Sequence, residues 1–369
     1  MYSNKKLYLL DISTTPSSST SLFSTSSSPK IGTNSILWFC FVLYQNKVSD
    51  QTVAIITSGL DGIHSNTVPT KNVEILGETT CQLPPLLYGS IGHTTFILPF
   101  DDLILTCGGE IGFFQGTSRS CFAYDKIKGN WTLHSSFTTK RIHAISITME
   151  KSVYVLGGVI SNKTSEILET GSKIWIEGPE IPDGTANACG VRFNEIEFML
   201  IGGSADAAKR ILIYNTENKQ WRQFSKELEI GRSKHACIIS DNNLMVIGGI
   251  DMDGNTLKDT EIVSLDSNSN VIHADLNMPR KNFGVAELST EKDSRILVFG
   301  GQNGYGLLSS VEEWSTLEKR WKILDSNLSG ARSNFGFATI PKSLICGEWK
   351  LELKVLRQLR HPNLYRSRI

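Results

Sequence analysis

The sequence predicts an all-β fold of six four-stranded antiparallel sheets arranged in a ring. Three observations lead to this expectation. An apolar stretch that ends in two glycines recurs about every fifty residues, a tryptophan follows most copies at a constant interval, and helical periodicity is scarce up to about residue 346. Short apolar runs separated by many glycines are typical of strands joined by turns.

The first fifty residues differ from the rest of the chain. Residues 13–30 are mostly Ser and Thr with little to bury, which predicts a disordered segment. The apolar stretch ILWFCFVLY (36–44) is about half as long as a membrane span but suits the core of a signal peptide. An apolar strand or an unrelated N-terminal extension is the alternative. We therefore expect a low-complexity, signal-like segment over 1–50, no transmembrane span, and an extracellular protein, with the cytoplasm as the alternative.

Charge and cysteine spacing argue against several classes of ligand. The 37 basic and 37 acidic side chains give a formal net charge of zero and are mixed along the chain, so we expect no nucleic-acid partner. The seven cysteines and seven histidines show no zinc-binding spacing. We expect no metal and no cofactor.

Each repeat begins with a strand that ends in a glycine pair. The five clear copies are LILTCGGE, VYVLGGVI, FMLIGGSA, LMVIGGID and ILVFGGQN, and VAIITSGL is a weaker first copy. Their glycines are Gly108, Gly109, Gly157, Gly158, Gly202, Gly203, Gly248, Gly249, Gly300 and Gly301. Strands that are apolar at every position are expected where neighbouring sheets cover both faces. Glycine at the strand end permits a positive φ and a close approach of the neighbouring blade.

A second landmark follows the glycine pairs. In four repeats an apolar or aromatic residue precedes a tryptophan by seven positions, and these tryptophans are Trp131, Trp175, Trp221 and Trp321. A fixed interval across variable loops predicts two strands joined by a tight turn. Most repeats then continue with arginine and a histidine or aromatic residue, as in RIHAIS, RSKHAC, RKNFGV and RSNFGF.

This combination of motifs resembles the kelch repeat, a unit of about fifty residues. The resemblance covers residues 52–346 and implies a six-bladed kelch β-propeller of four-stranded antiparallel blades, which we place at 51–346. We expect the C-terminal FGFATI to complete the blade that begins at Val53, with SLIC (343–346) as an edge strand. Residues 347–369 depart from the pattern and are expected to form a short C-terminal extension.

Four arginines at equivalent places in the repeat are the first candidates for ligand binding. They are Arg141, Arg232, Arg280 and Arg332. In substrate-adaptor kelch proteins, which the pattern resembles, arginines at this position line the mouth that binds the ligand. A ring of guanidinium groups would suit an acidic ligand. Alternatively, the arginines bond carbonyl groups of the next blade.

Further candidate residues lie in loops and at strand ends. Aromatic residues in long loops on a rigid scaffold are plausible contact anchors, and these are Phe113, Phe114 and Tyr305. Cys107 and Cys121 are expected on neighbouring antiparallel strands, where a disulfide is possible. Cys189 and Cys237 are expected to be small buried fillers. The sequons begin at Asn130, Asn162 and Asn327 and would suit a secreted surface.

No catalytic constellation can be assembled from the sequence. It has no nucleophile elbow, P-loop or dinucleotide fingerprint, and the Tyr, Cys and His set of kelch-fold oxidases is not recognisable. The sequence therefore favours a non-enzymatic interaction module with a protein or glycan ligand. The alternatives are an intracellular substrate adaptor of the ubiquitin-ligase type and a kelch-fold mutarotase or oxidase.

Overall fold

Six antiparallel sheets follow one another along the chain in the computed structural model. It describes residues 51–62, 69–112, 116–183, 186–203, 207–266, 272–290 and 293–346. The extensions expected at 1–50 and 347–369 lie outside the described residues. Within the described ranges, no helix is long and apolar enough to span a membrane.

Each sheet is one blade, and blades 2 to 6 have four strands in chain order. Blade 2 contains Thr94–Leu98, Leu103–Cys107, Ser120–Asp125 and Asn130–Ser136. Blade 3 contains Ile145–Thr148, Ser152–Leu156, Ser165–Glu169 and Ile176–Glu177. Blade 4 contains Cys189–Arg192, Glu197–Ile201, Ile211–Asn215 and Gln220–Gln223. Blade 5 contains Ala236–Ser240, Asn243–Ile247, Thr260–Ser264 and Ile272–His273. Blade 6 contains Gly284–Ser289, Ser294–Phe299, Val311–Ser315 and Arg320–Ile323.

Blade 1 joins the two ends of the repeat region. Its order is Gly336–Pro341, Thr52–Thr57 and Val73–Leu76, all antiparallel, so the C-terminal strand lies innermost. Val53 is paired with Ile340, which confirms that FGFATI completes the blade begun at Val53. The expected edge strand at SLIC is wrong, because Lys342–Leu344 form a short 3₁₀ helix. Pro341 lies opposite Thr52 at the end of the strand, and the Lys342 N–H still donates to the Gln51 carbonyl at 2.8 Å.

Three further short pairings complete the described strands, and all lie at the same ends of the blades. They are Leu60–Asp61 with Arg332–Ser333, Ser90–Ile91 with Glu110–Ile111, and Gln302–Asn303 with Gly306–Leu307.

The ring is closed through the first, innermost strands. Each contacts the inner strand of the next blade, and Gly284–Ser289 of blade 6 contacts Gly336–Pro341 of blade 1. The buried apolar side chains of the described residues form six clusters, one between each pair of neighbouring blades. The stability of the ring therefore depends on contacts between blades, since a single blade leaves its faces uncovered.

The glycine pairs and tryptophans hold neighbouring blades together. All ten glycines of the pairs have a positive φ. At Gly158, with φ of 111°, an added Cβ would lie 2.8 Å from the Ile142 carbonyl oxygen of the preceding connection. The tryptophan indole N–H groups donate across the blade boundary, for example from Trp131 to the Pro84 carbonyl at 3.0 Å. The other three donate to Ser135, the Glu180 carbonyl and Thr260.

Candidate functional site

One side of the ring carries two kinds of connection, and we call it the loop face. The loops that follow the glycine pairs lie here, because the second and third strands of each blade are antiparallel. The connections that lead from each outer strand into the next inner strand lie on the same side. Long loops on a rigid β-scaffold are common places for binding residues.

A ring of six equivalent residues surrounds the axis on the loop face. These residues, which we call the mouth ring, are Gly92, His143, Asn187, Lys234, Asn282 and Asn334. All six have φ between 52° and 62°. Five backbone hydrogen bonds join neighbouring members, from the His143 N–H to the Gly92 carbonyl and onward, at 2.6 to 3.2 Å. The mouth is therefore a fixed backbone collar whose side chains differ from blade to blade.

Two lysines lie close together at the mouth ring, Lys234 as a member and Lys281 directly before Asn282. Burial lowers the pKa of Lys234, and the nearby Lys281 ammonium lowers it further. Burial also lowers the pKa of His143 to about 4, with a contribution from Lys234. Neither Lys234 nor Lys281 forms an ion pair with another residue in the described part of the chain. These two unbalanced cations are the electrostatic feature of the mouth that a ligand can use.

The four predicted arginines lie inside the ring. Each is at most 2% exposed. The Arg141 carbonyl accepts a hydrogen bond from Gly109 of blade 2, and its guanidinium donates to the Gly157 carbonyl and to Glu166 of blade 3. Arg232 and Arg280 repeat this arrangement with carboxylates of the next blade, and Arg332 contacts Glu74 of blade 1.

Each arginine therefore clamps two neighbouring blades. Although a ligand-binding role for these arginines stays an untested prediction, the geometry favours the alternative that they bond the next blade. Side chains this buried are not available at the surface.

The arginine and its carboxylate occur together or not at all. The acidic partners Glu74, Glu166, Glu261 and Glu312 occupy one register position on the third strand. In blade 2 the two positions hold Ser90 and Phe122, whereas in blade 4 the carboxylate position holds Leu212 and the sequence repeat has Thr185 in place of the arginine. Paired loss is expected for a structural ion pair, because either charge alone would be buried without compensation.

The structure describes one of the three predicted loop aromatics. Phe113 and Phe114 lie outside the described residues. Tyr305 is fully exposed at the tip of the hairpin formed by Gln302–Asn303 and Gly306–Leu307, next to the connection that carries Lys281. Its role in binding stays a prediction.

Six cysteines form three close pairs. Cys107 and Cys121 lie directly opposite each other on neighbouring strands, with Cα atoms 4.1 Å apart and sulfur atoms at bonding distance. Cys237 is buried in a core cluster and Cys189 packs against it, as expected of small fillers, and their sulfurs are also at bonding distance, which was not expected. A third pair joins Cys81 to Cys346, with a Cα separation of 5.6 Å. Sequence spacing gives no sign of this pair, since its members are 265 residues apart.

The sequon asparagines Asn130, Asn162 and Asn327 are all exposed. Their glycosylation stays a prediction. Among the described residues, no group of three His, Cys, Asp or Glu side chains is arranged to hold a metal ion.

Sequence reasoning identified the arginines but not the mouth ring, whose members lie two positions later in each repeat. The arginines repeat from blade to blade, whereas the residues two positions later vary in type. A signal was present, since Gly, Asn and His are the residue types most often found at positive φ.

Comparison with known proteins agrees with the repeat pattern. A family model described as the Kelch motif matches residues 289–327. Kelch-like protein 41a of Danio rerio is 26% identical over 192 residues, 48% of this chain and 31% of that protein. tRNA wybutosine-synthesizing protein 4 of Candida albicans is 29% identical over 43% of this chain and 23% of that protein. Alpha-scruin of Limulus polyphemus is 25% identical over 42% of this chain and 18% of that protein. The chain thus covers less than a third of each of these relatives.

Proposed function

We propose that this chain, a member of the kelch-repeat family, is a non-enzymatic interaction module that binds a protein partner at the mouth ring. The observation that carries the proposal is the pair of unbalanced cations, Lys234 and Lys281, on a collar whose backbone is already fixed. A carboxylate of the partner would relieve the repulsion between them, and burial would strengthen the attraction. The preferred partner is therefore a segment that presents Asp or Glu.

The neighbouring loops supply apolar contacts beside this charge. Tyr305 in blade 6 is fully exposed, and Met252 in the corresponding loop of blade 5 is 64% exposed. Both loops pair with the connections that carry the cations, through the bridges Lys281 to Gln302 and Ser233 to Ile250. An acidic residue flanked by apolar residues would contact both features at once.

We further propose that the protein works outside the cell. The three cysteine pairs and the three exposed sequons support this, because disulfides persist in oxidising compartments and N-glycans are added in the secretory pathway. A glycan ligand and an intracellular adaptor role are the competing possibilities. Cell fractionation and glycosidase treatment of the native protein distinguish the locations, since a non-glycosylated cytosolic product would contradict the extracellular proposal.

The mouth is tested with short fluorescent peptides. One set carries a central Asp or Glu between apolar residues, and the matched set carries Asn or Gln instead. We expect the acidic set to bind more tightly, and the double variant Lys234→Glu with Lys281→Glu to lose at least tenfold in affinity. Binding is measured by fluorescence anisotropy at two salt concentrations, because exposed ion pairs weaken in salt.

The matched control is Lys151→Glu with Lys173→Glu. These exposed lysines lie in turns on the opposite side of blade 3 and change the net charge by the same amount. Equal losses of peptide affinity in the two double variants would show that net charge alone causes the effect. That outcome would reject the mouth as the binding site. Native partners captured from the source cells should also depend on Lys234 and Lys281.

A further inference from the structure

Each of the two blades without a buried arginine–carboxylate pair contains at least one paired cysteine, and blades 1 and 5 have both an ion pair and a paired cysteine. Blade 2 has Ser90 and Phe122 at the positions of the ion pair, and blade 4 has Leu212 at the carboxylate position, with Thr185 in place of the arginine in the sequence repeat. Blade 2 contains Cys107 and Cys121, and blade 4 is linked to blade 5 through Cys189 and Cys237. Blades 3 and 6 keep the ion pair and contain no cysteine.

In blade 2 the cysteines join the same two strand ends that the arginine joins elsewhere. Cys107 directly precedes the glycine pair, and Cys121 is next to Phe122, which replaces the carboxylate. In blade 3 the Arg141 guanidinium connects these places, with hydrogen bonds to the Gly157 carbonyl and to Glu166. A covalent bond between Cys107 and Cys121 would fix the same separation.

In blade 4 the cysteines act across a blade boundary. Cys189 begins the inner strand of blade 4, and Cys237 lies in the inner strand of blade 5. Their Cα atoms are 6.0 Å apart, within the usual range for a disulfide. This bond would join blades 4 and 5 beside the axis, at a boundary that Arg232 also spans through the Gly203 N–H and the Gly248 carbonyl.

The third cysteine pair lies where the ring closes. Cys346 follows the C-terminal strand of blade 1, and Cys81 follows Val73–Leu76 of the same blade. Without a covalent link, Gly336–Pro341 is held by its ladder with Thr52–Thr57 and by side-chain packing. This strand is also connected to the mouth ring, because Asn334 lies just before it and the Asn334 carbonyl accepts a hydrogen bond from the Gly92 N–H.

We propose that Cys81–Cys346, Cys107–Cys121 and Cys189–Cys237 are native disulfides, and that Cys81–Cys346 is a covalent clasp that keeps the ring and its mouth closed. Each bond forms when two thiols lose two protons and two electrons to an oxidised dithiol protein or to glutathione disulfide, which is reduced to two thiols. Reduction of the clasp allows the C-terminal strand to separate from blade 1. The inference does not depend on what the mouth binds.

The first test counts thiols in the full chain secreted by cultured cells. The protein is denatured with iodoacetamide but no reductant, digested, and mapped by mass spectrometry. We expect three cross-linked peptide pairs with the connectivity above and no alkylation of their six cysteines. Alkylation of all six, or a different connectivity, would overturn the proposal.

The second test isolates the clasp. The double variant Cys81→Ser with Cys346→Ser should melt about 5 to 10 °C lower than the parent and should be cleaved by protease near residues 336–346 while the rest of the propeller stays intact. Its matched control is Cys107→Ser with Cys121→Ser, which removes a cross-link within blade 2 and should leave residues 336–346 resistant to protease. A clasp variant that melts with the parent and resists protease would reject the closing role.

If the double variant is not secreted, the role of the clasp can be measured directly on the parent protein. Stepwise addition of a dithiol reductant should release the C-terminal region to protease and should weaken peptide binding at the mouth in parallel. Loss of binding without proteolytic release would reject the clasp. Intact disulfides without any peptide binding would instead count against the proposed function alone.

Discussion

Blades 2 and 6 close the same gap in the repeat by different chemistry. In blade 6 the Arg280 guanidinium is completely buried and contacts the Gly300 carbonyl and Glu312. In blade 2 the corresponding positions hold Ser90 and Phe122, which line a small cavity. Cys107 and Cys121 lie beside it. The comparison teaches that different residues can connect the second and third strands, and blade 4, with Leu212 at the carboxylate position and its cysteine bonded towards blade 5, keeps its four strands without either connection.

The largest effect is expected when one charge of a blade 6 pair is removed. Arg280→Thr leaves Glu312 fully buried with only the Asn277 and Met278 groups as donors, so we expect a loss of about 3 to 5 kcal/mol in unfolding free energy. The double variant Arg280→Thr with Glu312→Leu copies the residues of blade 4 and should lose much less. Denaturant unfolding of both single variants and the double variant measures the coupling.

The double-mutant cycle decides what the arginine does. A coupling energy of about 2 kcal/mol or more is expected for a buried pair. Additive losses would mean that Arg280 stabilises the ring through its carbonyl contacts alone.

A smaller effect is expected from removing the cysteines of blade 2. Cys107→Leu with Cys121→Ser copies blade 3, and loss of a cross-link across 14 residues should cost about 3 kcal/mol. Adding Ser90→Arg and Phe122→Glu to this variant would rebuild the ion pair in the cavity and should recover at least about 1 kcal/mol. Unfolding is measured without reductant, and a quadruple variant less stable than the cysteine variant would show that blade 2 cannot accept the arginine.

Sequence alone predicts the parts of this fold that repeat. The glycine pairs and the tryptophans recur at fixed intervals, so the six blades and their closure through Val53 follow from spacing. The mouth ring does not follow, because its shared property is a backbone conformation, with Lys234 at φ of 55°, rather than a residue type. The contact between Cys81 and Cys346 also depends on closure of the whole ring.

The role of the arginines also required the structure. Repetition of Arg232 was compatible with a ligand-binding ring and with a structural clamp. Only its contacts with the Gly248 carbonyl, Asp259 and Glu261 distinguish the two.

Acid should reveal a difference between blade 5 and blades 6 and 1. Burial lowers the pKa of His235 from 6.5 to about 3, with a further contribution from Arg232, whereas blades 6 and 1 have Phe283 and Phe335 at this position. The unfolded chain binds a proton below pH 6.5 and the folded chain does not, so stability falls as the pH drops from about 6.5 towards 3. His235→Phe should remove about 1 kcal/mol of this loss per pH unit.

The His235→Phe prediction is measured as the unfolding free energy at pH 7, 6, 5 and 4. The control is His134→Phe, which replaces a histidine outside the repeat position and should change the slope less. Parallel profiles for the parent and His235→Phe would mean that other groups cause the acid sensitivity.

The smallest expected effect concerns His273, which in blade 5 contacts a carboxylate partner of Arg232. His273 lies between Asp259 and Glu229, at 2.7 and 2.9 Å, and Asp259 also binds Arg232. The hydrogen bond to Asp259, followed by that to Glu229, raises the pKa of His273. The charged imidazolium therefore stabilises the fold fully below pH 6.5, and this stabilisation disappears as the pH rises through the raised pKa. Because His273 is 38% exposed, the contribution should be below about 1 kcal/mol.

His273→Gln should melt lower than the parent at pH 6 and with the parent at pH 9. An equal difference at both values would mean that His273 contributes packing and no charge, and that the clamp of blade 5 ends at Asp259.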